Sequence, residues 1–85
     1  MKVISCKHMN KFQFSITFAS NETLDVDLFE LIGKHLKPEE VSTMNVNSEW
    51  GCLEFKEGNV DIEPLTLYKF AKEQTQKSLP SWIET

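Results

Sequence analysis

The stretch from Cys52 to Phe70, C-L-E-F-K-E-G-N-V-D-I-E-P-L-T-L-Y-K-F, restricts the fold more than any other part of the chain. Leu53 and Phe55 alternate with Cys52, Glu54 and Lys56, which makes one face of a strand apolar. Gly58-Asn59 supplies a turn, with Gly58 free to take a positive φ without steric cost. Val60 and Ile62 then resume the apolar face while Asp61 points away. Glu63-Pro64 opens a helix at once, because proline lacks the N–H that a first helical position leaves unpaired in any case. Leu67, Phe70, Ala71 and Gln74 form its inward stripe, and Lys69, Lys72 and Glu73 its wet face. Two short strands and a helix over residues 64–77 are therefore expected, with Ser78 to Pro80 as the stop.

The first half reads as a β-meander over residues 1–28. Val3, Ile4 and Cys6 open a strand, and Met9-Asn10-Lys11 turns it. Phe12, Phe14, Ile16 and Phe18 alternate with Gln13, Ser15 and Thr17, a period of two that suits an antiparallel sheet with one covered face. Leu24 and Val26 alternate with Thr23, Asp25 and Asp27 beyond a Ser20-Asn21-Glu22 turn. Asp27 with Glu30 three residues later approximates a capping box. Leu28, Leu31, Ile32 and Leu36 follow at helical spacing, so a helix over 28–37 is predicted, ended by Pro38. Residues 38–41 add a helical turn, and residues 44–62 hold the remaining strands and the hairpin. The sum is an α+β domain spanning 1–85: an antiparallel sheet of five or six strands with two helices on one face.

These residues resemble a small bacterial family known only as a domain of unknown function. Its members begin with a meander of the form v-x-F-x-dG-x-x-r-x-vDl and end in W-p-x-G-x-D-i-x-P-e-x-L-y. Phe18, Val26, Asp27 and Leu28 match the first pattern, and Gly58, Asp61, Ile62, Pro64, Leu67 and Tyr68 the second. Phe55-Lys56 stands in place of Trp-Pro, Ser20-Asn21 in place of Asp-Gly, and no Arg lies between Glu22 and Val26. The resemblance implies the α+β fold and no reaction. Links of some members to toxin–antitoxin-like gene pairs and mobile elements imply a protein-binding or regulatory role.

Charge and ligand chemistry narrow the function classes. A net charge of −4 and the absence of Arg disfavour nucleic acid, which is met by basic stripes and planar guanidinium groups. No apolar run approaches the ~20 residues of a membrane span, and the N-terminus has no secretory pattern, so the cytoplasm is expected. Cys6 and Cys52 are too few for a disulfide framework. With His8 and His35 they lack metal-ligand spacing, so neither metal nor cofactor is expected. A Cys52 nucleophile paired with either histidine lacks a group to activate the thiol, and packing is the better reading. Asp25, Asp27, Asp61 and Glu63 could cluster for acid–base work, but helix capping and solvation account for them more simply.

Trp50, Asp61, Tyr68, Trp82 and Ile83 remain as candidate interaction or pocket residues. Aromatics concentrate at interface hot spots, yet a thin core also needs large side chains. Trp82 and Ile83, in the 78–85 tail, either fold back or form a docking segment. The leading expectation is a non-enzymatic interaction module that binds a protein partner or its own copy, through an edge strand or the tail. The alternative is a small-ligand binder or minor enzyme, its pocket lined by Phe residues between sheet and helices and edged by Asp61, Tyr68 and His35.

Overall fold

Alternation of apolar and polar residues becomes strand wherever the chain gives it room. The computed structural model describes residues 2–77. Three strands open it, β1 (Val3–Asn10), β2 (Gln13–Phe18) and β3 (Thr23–Asp27), followed by the short helix α1 (Phe29–Ile32) and a 3₁₀ segment, Pro38–Thr43. Strands β4 (Asn45–Val46), β5 (Leu53–Phe55) and β6 (Val60–Ile62) lead into helix α2 (Pro64–Lys77). Phe14, Ile16 and Phe18 of β2 are fully buried, and the polar residues between them face outward as their period of two requires. Phe12, expected at the head of that strand, sits instead in the β1–β2 turn, where its carbonyl accepts from the Leu28 N–H at 2.9 Å.

A single sheet of five or six strands does not form. The strands divide into two separate three-stranded antiparallel sheets, β1-β2-β3 and β4-β5-β6. The reason lies at the edges. Along β1 the register with β2 slips between Val3 and Ser5 and again between His8 and Asn10, around the exposed Ile4 and Met9. Bulges of this kind turn an edge away from further pairing, and Lys7 between them adds a charge. At the opposite edge the Gln74 side chain imitates a neighbouring strand. Its Oε1 accepts from the Asp27 N–H, and its Nε2 donates to the Asp27 carbonyl at 2.8 Å. α2 thus closes β3, and the second sheet has nowhere to join. The sheets meet at one corner, where the Val3 N–H donates to the Gly51 carbonyl at 2.8 Å.

One hydrophobic cluster nevertheless serves both sheets. Phe14 of the first and Phe55 of the second stand edge to face with ring centroids 5.8 Å apart. Val3, Ile16 and Phe18 share that cluster with Leu53, Ile62, and Leu67 and Ala71 of α2.

Nor do two helices cover one face. The predicted helix over 28–37 is a single turn, since Gly33 follows Ile32 and the chain turns through Gly33–His35. A Cβ at Gly33 would lie 2.7 Å from the Phe29 ring, and glycine is among the weakest helix formers. The apolar spacing kept its meaning all the same, because Leu28, Ile32 and Leu36 are buried. The N-cap is Leu28, without a side-chain cap bond, and Asp27, expected there, lies one residue earlier, its Oδ1 accepting from the Phe29 N–H at 2.9 Å. The reciprocal carboxylate bond expected of Glu30 occurs one element later, where Glu40 Oε1 accepts from the Lys37 N–H at 2.8 Å.

Candidate functional site

The turn between β4 and β5 is built by Asn47, a residue the sequence reading passed over. Its Oδ1 accepts from the N–H groups of Glu49 and Trp50, at 2.9 and 2.8 Å, and its carbonyl accepts from the Gly51 N–H at 2.7 Å. The side chain thereby satisfies the turn that it begins, as asparagine does in Asx turns. The consequence is that Trp50 is held outward, 68% exposed. Gly51 takes φ 72° immediately after it, and a Cβ there would run into Lys2.

Across from Trp50, α2 begins with Pro64 and the exposed Leu65. Trp50, Pro64, Leu65 and Cys52 line an open groove of about 630 Å³, and the carboxylates of Glu54, Asp61 and Glu63 line it too. The strand period puts Glu54 opposite Asp61 in the β5–β6 pair, and Glu63 follows two residues later on the same side. Glu54 accepts long hydrogen bonds from Asn45 and Asn47, at 3.4 and 3.3 Å, which leave its charge unpaired. Asp61 and Glu63 make no side-chain hydrogen bond or ion pair among the described residues. Lys2 reaches the rim, where its Nζ donates to the Glu49 carbonyl at 2.9 Å. Burial, and after it the negative charges of Glu54 and Asp61, push the Cys52 thiol above its ordinary range. That is the opposite of an activated thiolate.

The structure therefore brings Trp50 and Asp61 together and separates them from Tyr68. Tyr68 packs edge to face on Phe18 at 5.2 Å and donates its hydroxyl to Glu22 at 2.8 Å. Lys72 completes that cluster, 2.7 Å from the other Glu22 oxygen and 5.6 Å from the Tyr68 ring centroid. These donors hold the Glu22 carboxyl below the usual carboxylate range. Tyr68 is thus an anchor of α2 onto the β2–β3 turn. Trp82 and Ile83 lie outside the described residues.

Among the described residues, Asp61 and His35 share a shallow depression beside α1 that Tyr68 does not line. The depression that reaches Phe14 is edged by Met9, Asp25 and Gln74. Among the described residues no three His, Cys, Asp or Glu side chains are grouped to hold a metal. His8 Nε2 lies 2.7 Å from the Lys11 carbonyl, and burial pushes the neighbouring Cys6 thiol up to about 12. Among the described residues no helix is long and apolar enough to cross a membrane.

A family model described as a protein of unknown function (DUF2442) matches residues 3–73. No curated protein and no solved structure matches the chain.

Proposed function

The chain belongs to the DUF2442 family, proteins of unknown function, and from that premise we propose that it is a non-enzymatic interaction module whose contact surface is the Trp50 groove. The observation that carries this reading is the ordered exposure of Trp50, 68% open to solvent on a turn tied by two hydrogen bonds to Asn47. Tryptophan leads the residues that dominate binding energy at interfaces, and a preformed turn avoids the ordering cost of a mobile loop. Leu65, 54% exposed, widens the apolar patch. The bulged β1 edge and the Gln74-covered β3 edge make strand addition the poorer route. We further propose a bacterial, cytoplasmic setting and a regulatory role of the kind found among mobile-element genes, supported by the meander and the G-x-x-D-I-x-P-x-x-L-Y residues and by two free cysteines.

The test compares tagged full-length chain with its Trp50→Ala variant as baits in source-cell lysate, with bound proteins quantified by mass spectrometry. A stoichiometric protein captured by the parent chain and lost with Trp50→Ala, at unchanged melting temperature, is the expected result. Identical captures by both baits would remove the groove from the reading.

A further inference from the structure

We propose that the groove beside Trp50 receives a cationic segment of a partner protein, an extended stretch in which a lysine or arginine side chain lies beside an apolar residue. The proposal rests on the interaction reading above and names the chemistry of the occupant. Trp50, Pro64 and Leu65 supply apolar lining, and an apolar neighbour of the cation would cover them. The open groove of about 630 Å³ has room for a long side chain laid along it.

The rim fixes the sign of the charge. Glu54, Asp61 and Glu63 bring three carboxylates to one groove, against one lysine among the described lining residues, Lys2, whose Nζ donates to the Glu49 carbonyl. Burial raises the Cys52 thiol most, and the negative charges of Glu54, Asp61 and Glu63 add to it. The negative face of the Trp50 indole adds attraction for a cation lying over it. An anionic segment would meet three carboxylates against one ammonium, and a predominantly negative cleft favours a cationic ligand.

Other occupants fit less well. A second copy meeting this groove about a twofold axis would place the three carboxylates against their own duplicates. The chain's own residues 78–85, S-L-P-S-W-I-E-T, carry one acid and no base.

The experiment uses full-length protein carrying Trp82→Phe, so that Trp50 alone reports, and three synthetic eight-residue peptides. The peptides share two leucines and differ in carrying two lysines, two glutamines or two glutamates. Trp50 fluorescence and isothermal titration give the affinities. The lysine peptide is expected to bind at least about tenfold more tightly than the glutamine peptide, with the glutamate peptide weakest. That preference should shrink in high salt and fall by about tenfold in the Asp61→Asn/Glu63→Gln double variant, whose apolar wall is untouched. Equal binding of all three peptides that is lost with Trp50→Ala would overturn the cationic assignment and leave the interaction reading intact. No binding of the lysine peptide at millimolar concentration would overturn the assignment too. So would a solution mass of two chains that reverts to one with Trp50→Ala.

Discussion

The pairing of Phe14 with Phe55 joins the cores of the two sheets, and a double-mutant cycle measures it. Phe14→Leu and Phe55→Leu keep both positions apolar while removing the edge-to-face ring contact at 5.8 Å. Each single change sacrifices part of a fully buried ring and is expected to cost about 1–2 kcal/mol. Truncation to alanine would cost about 3–5 kcal/mol, too large a part of the ~4–13 kcal/mol that supports a chain of this size. Leucine therefore keeps the variants folded. An aromatic pair contributes about 0.5–1.5 kcal/mol beyond its buried area, so the double variant should lose that much less than the sum of the singles. Urea unfolding followed by far-ultraviolet circular dichroism and by Trp50 emission, in a Trp82→Phe background, supplies all four corners of the cycle. The first probe sees both sheets and the second only the β4–β5 side. Additivity within about 0.3 kcal/mol, or two transitions that part company between the probes, would refute a common core joined at these rings.

Three further outcomes are expected. Gly51→Ala should destabilise by about 2 kcal/mol or more, since φ 72° strains an L residue and the new Cβ strikes Lys2, whereas Gly58→Ala, at φ 91° with its nearest atom 3.6 Å away, should cost about 1 kcal/mol in thermal melts; the reverse order would contradict the close approach of residues 2 and 51. Glu22 is held below the usual carboxylate range by hydrogen bonds from Lys72 and Tyr68, so its contribution is present at neutral pH and is lost as pH falls through its folded-state value. Urea midpoints against pH should accordingly show a shallower acid limb in Glu22→Gln, and an unchanged limb would remove this cluster from the acid response. Glu57 adopts φ 58° in the β5–β6 turn, where asparagine is better tolerated, so Glu57→Asn should raise stability by about 0.5–1 kcal/mol, read as a higher melting temperature.

What could be read from the sequence was local. The alternation through Phe14, Ile16 and Phe18 needs only the pleat of a strand, and these side chains are fully buried. Gly58 was chosen for a positive φ, and it has φ 91°. Pro64 was chosen as a first helical residue, and α2 starts there. What escaped depends on residues far apart in the chain. Division into two sheets follows from Gln74 reaching Asp27 and from two bulges flanking Ser5 to His8, and no window of periodicity contains either. Gly33 is a local signal that the apolar spacing of Leu28, Ile32 and Leu36 does not contain, since glycine inside a helix is costly. At the candidate site, Trp50 and Asp61 were singled out separately, while Asn47 was missed although asparagine at the head of a Ser-Glu-Trp-Gly stretch is an Asx-turn signal. Tyr68 stands out in the sequence as an aromatic contact or pocket-edge candidate, and its hydroxyl partner, Glu22, lies across the fold, beyond the reach of local pattern.

The position of Trp50 also bears on why so small a chain would leave one of its two tryptophans outside. Burying an indole removes roughly 150–250 Å² from water and would contribute at most about 4–6 kcal/mol at ~25 cal/mol per Å². That is comparable with the whole stability expected of an 85-residue domain. Phe29 is exposed to a similar degree, but its ring packs edge to face on Phe12 at 5.3 Å and sits against Gly33, so its place is structural. Trp50 joins no ring pair among the described residues, and the chain commits the side chain of Asn47 to fixing the turn that displays it. A turn held in place around an unburied indole, opposite three carboxylates, withholds from folding an apolar surface that becomes available to whatever binds there. The energy forgone in the fold and the energy available at the groove come from the same side chain, so a variant that buried Trp50 should gain stability at the expense of binding, whereas Trp50→Ala should lose the binding alone.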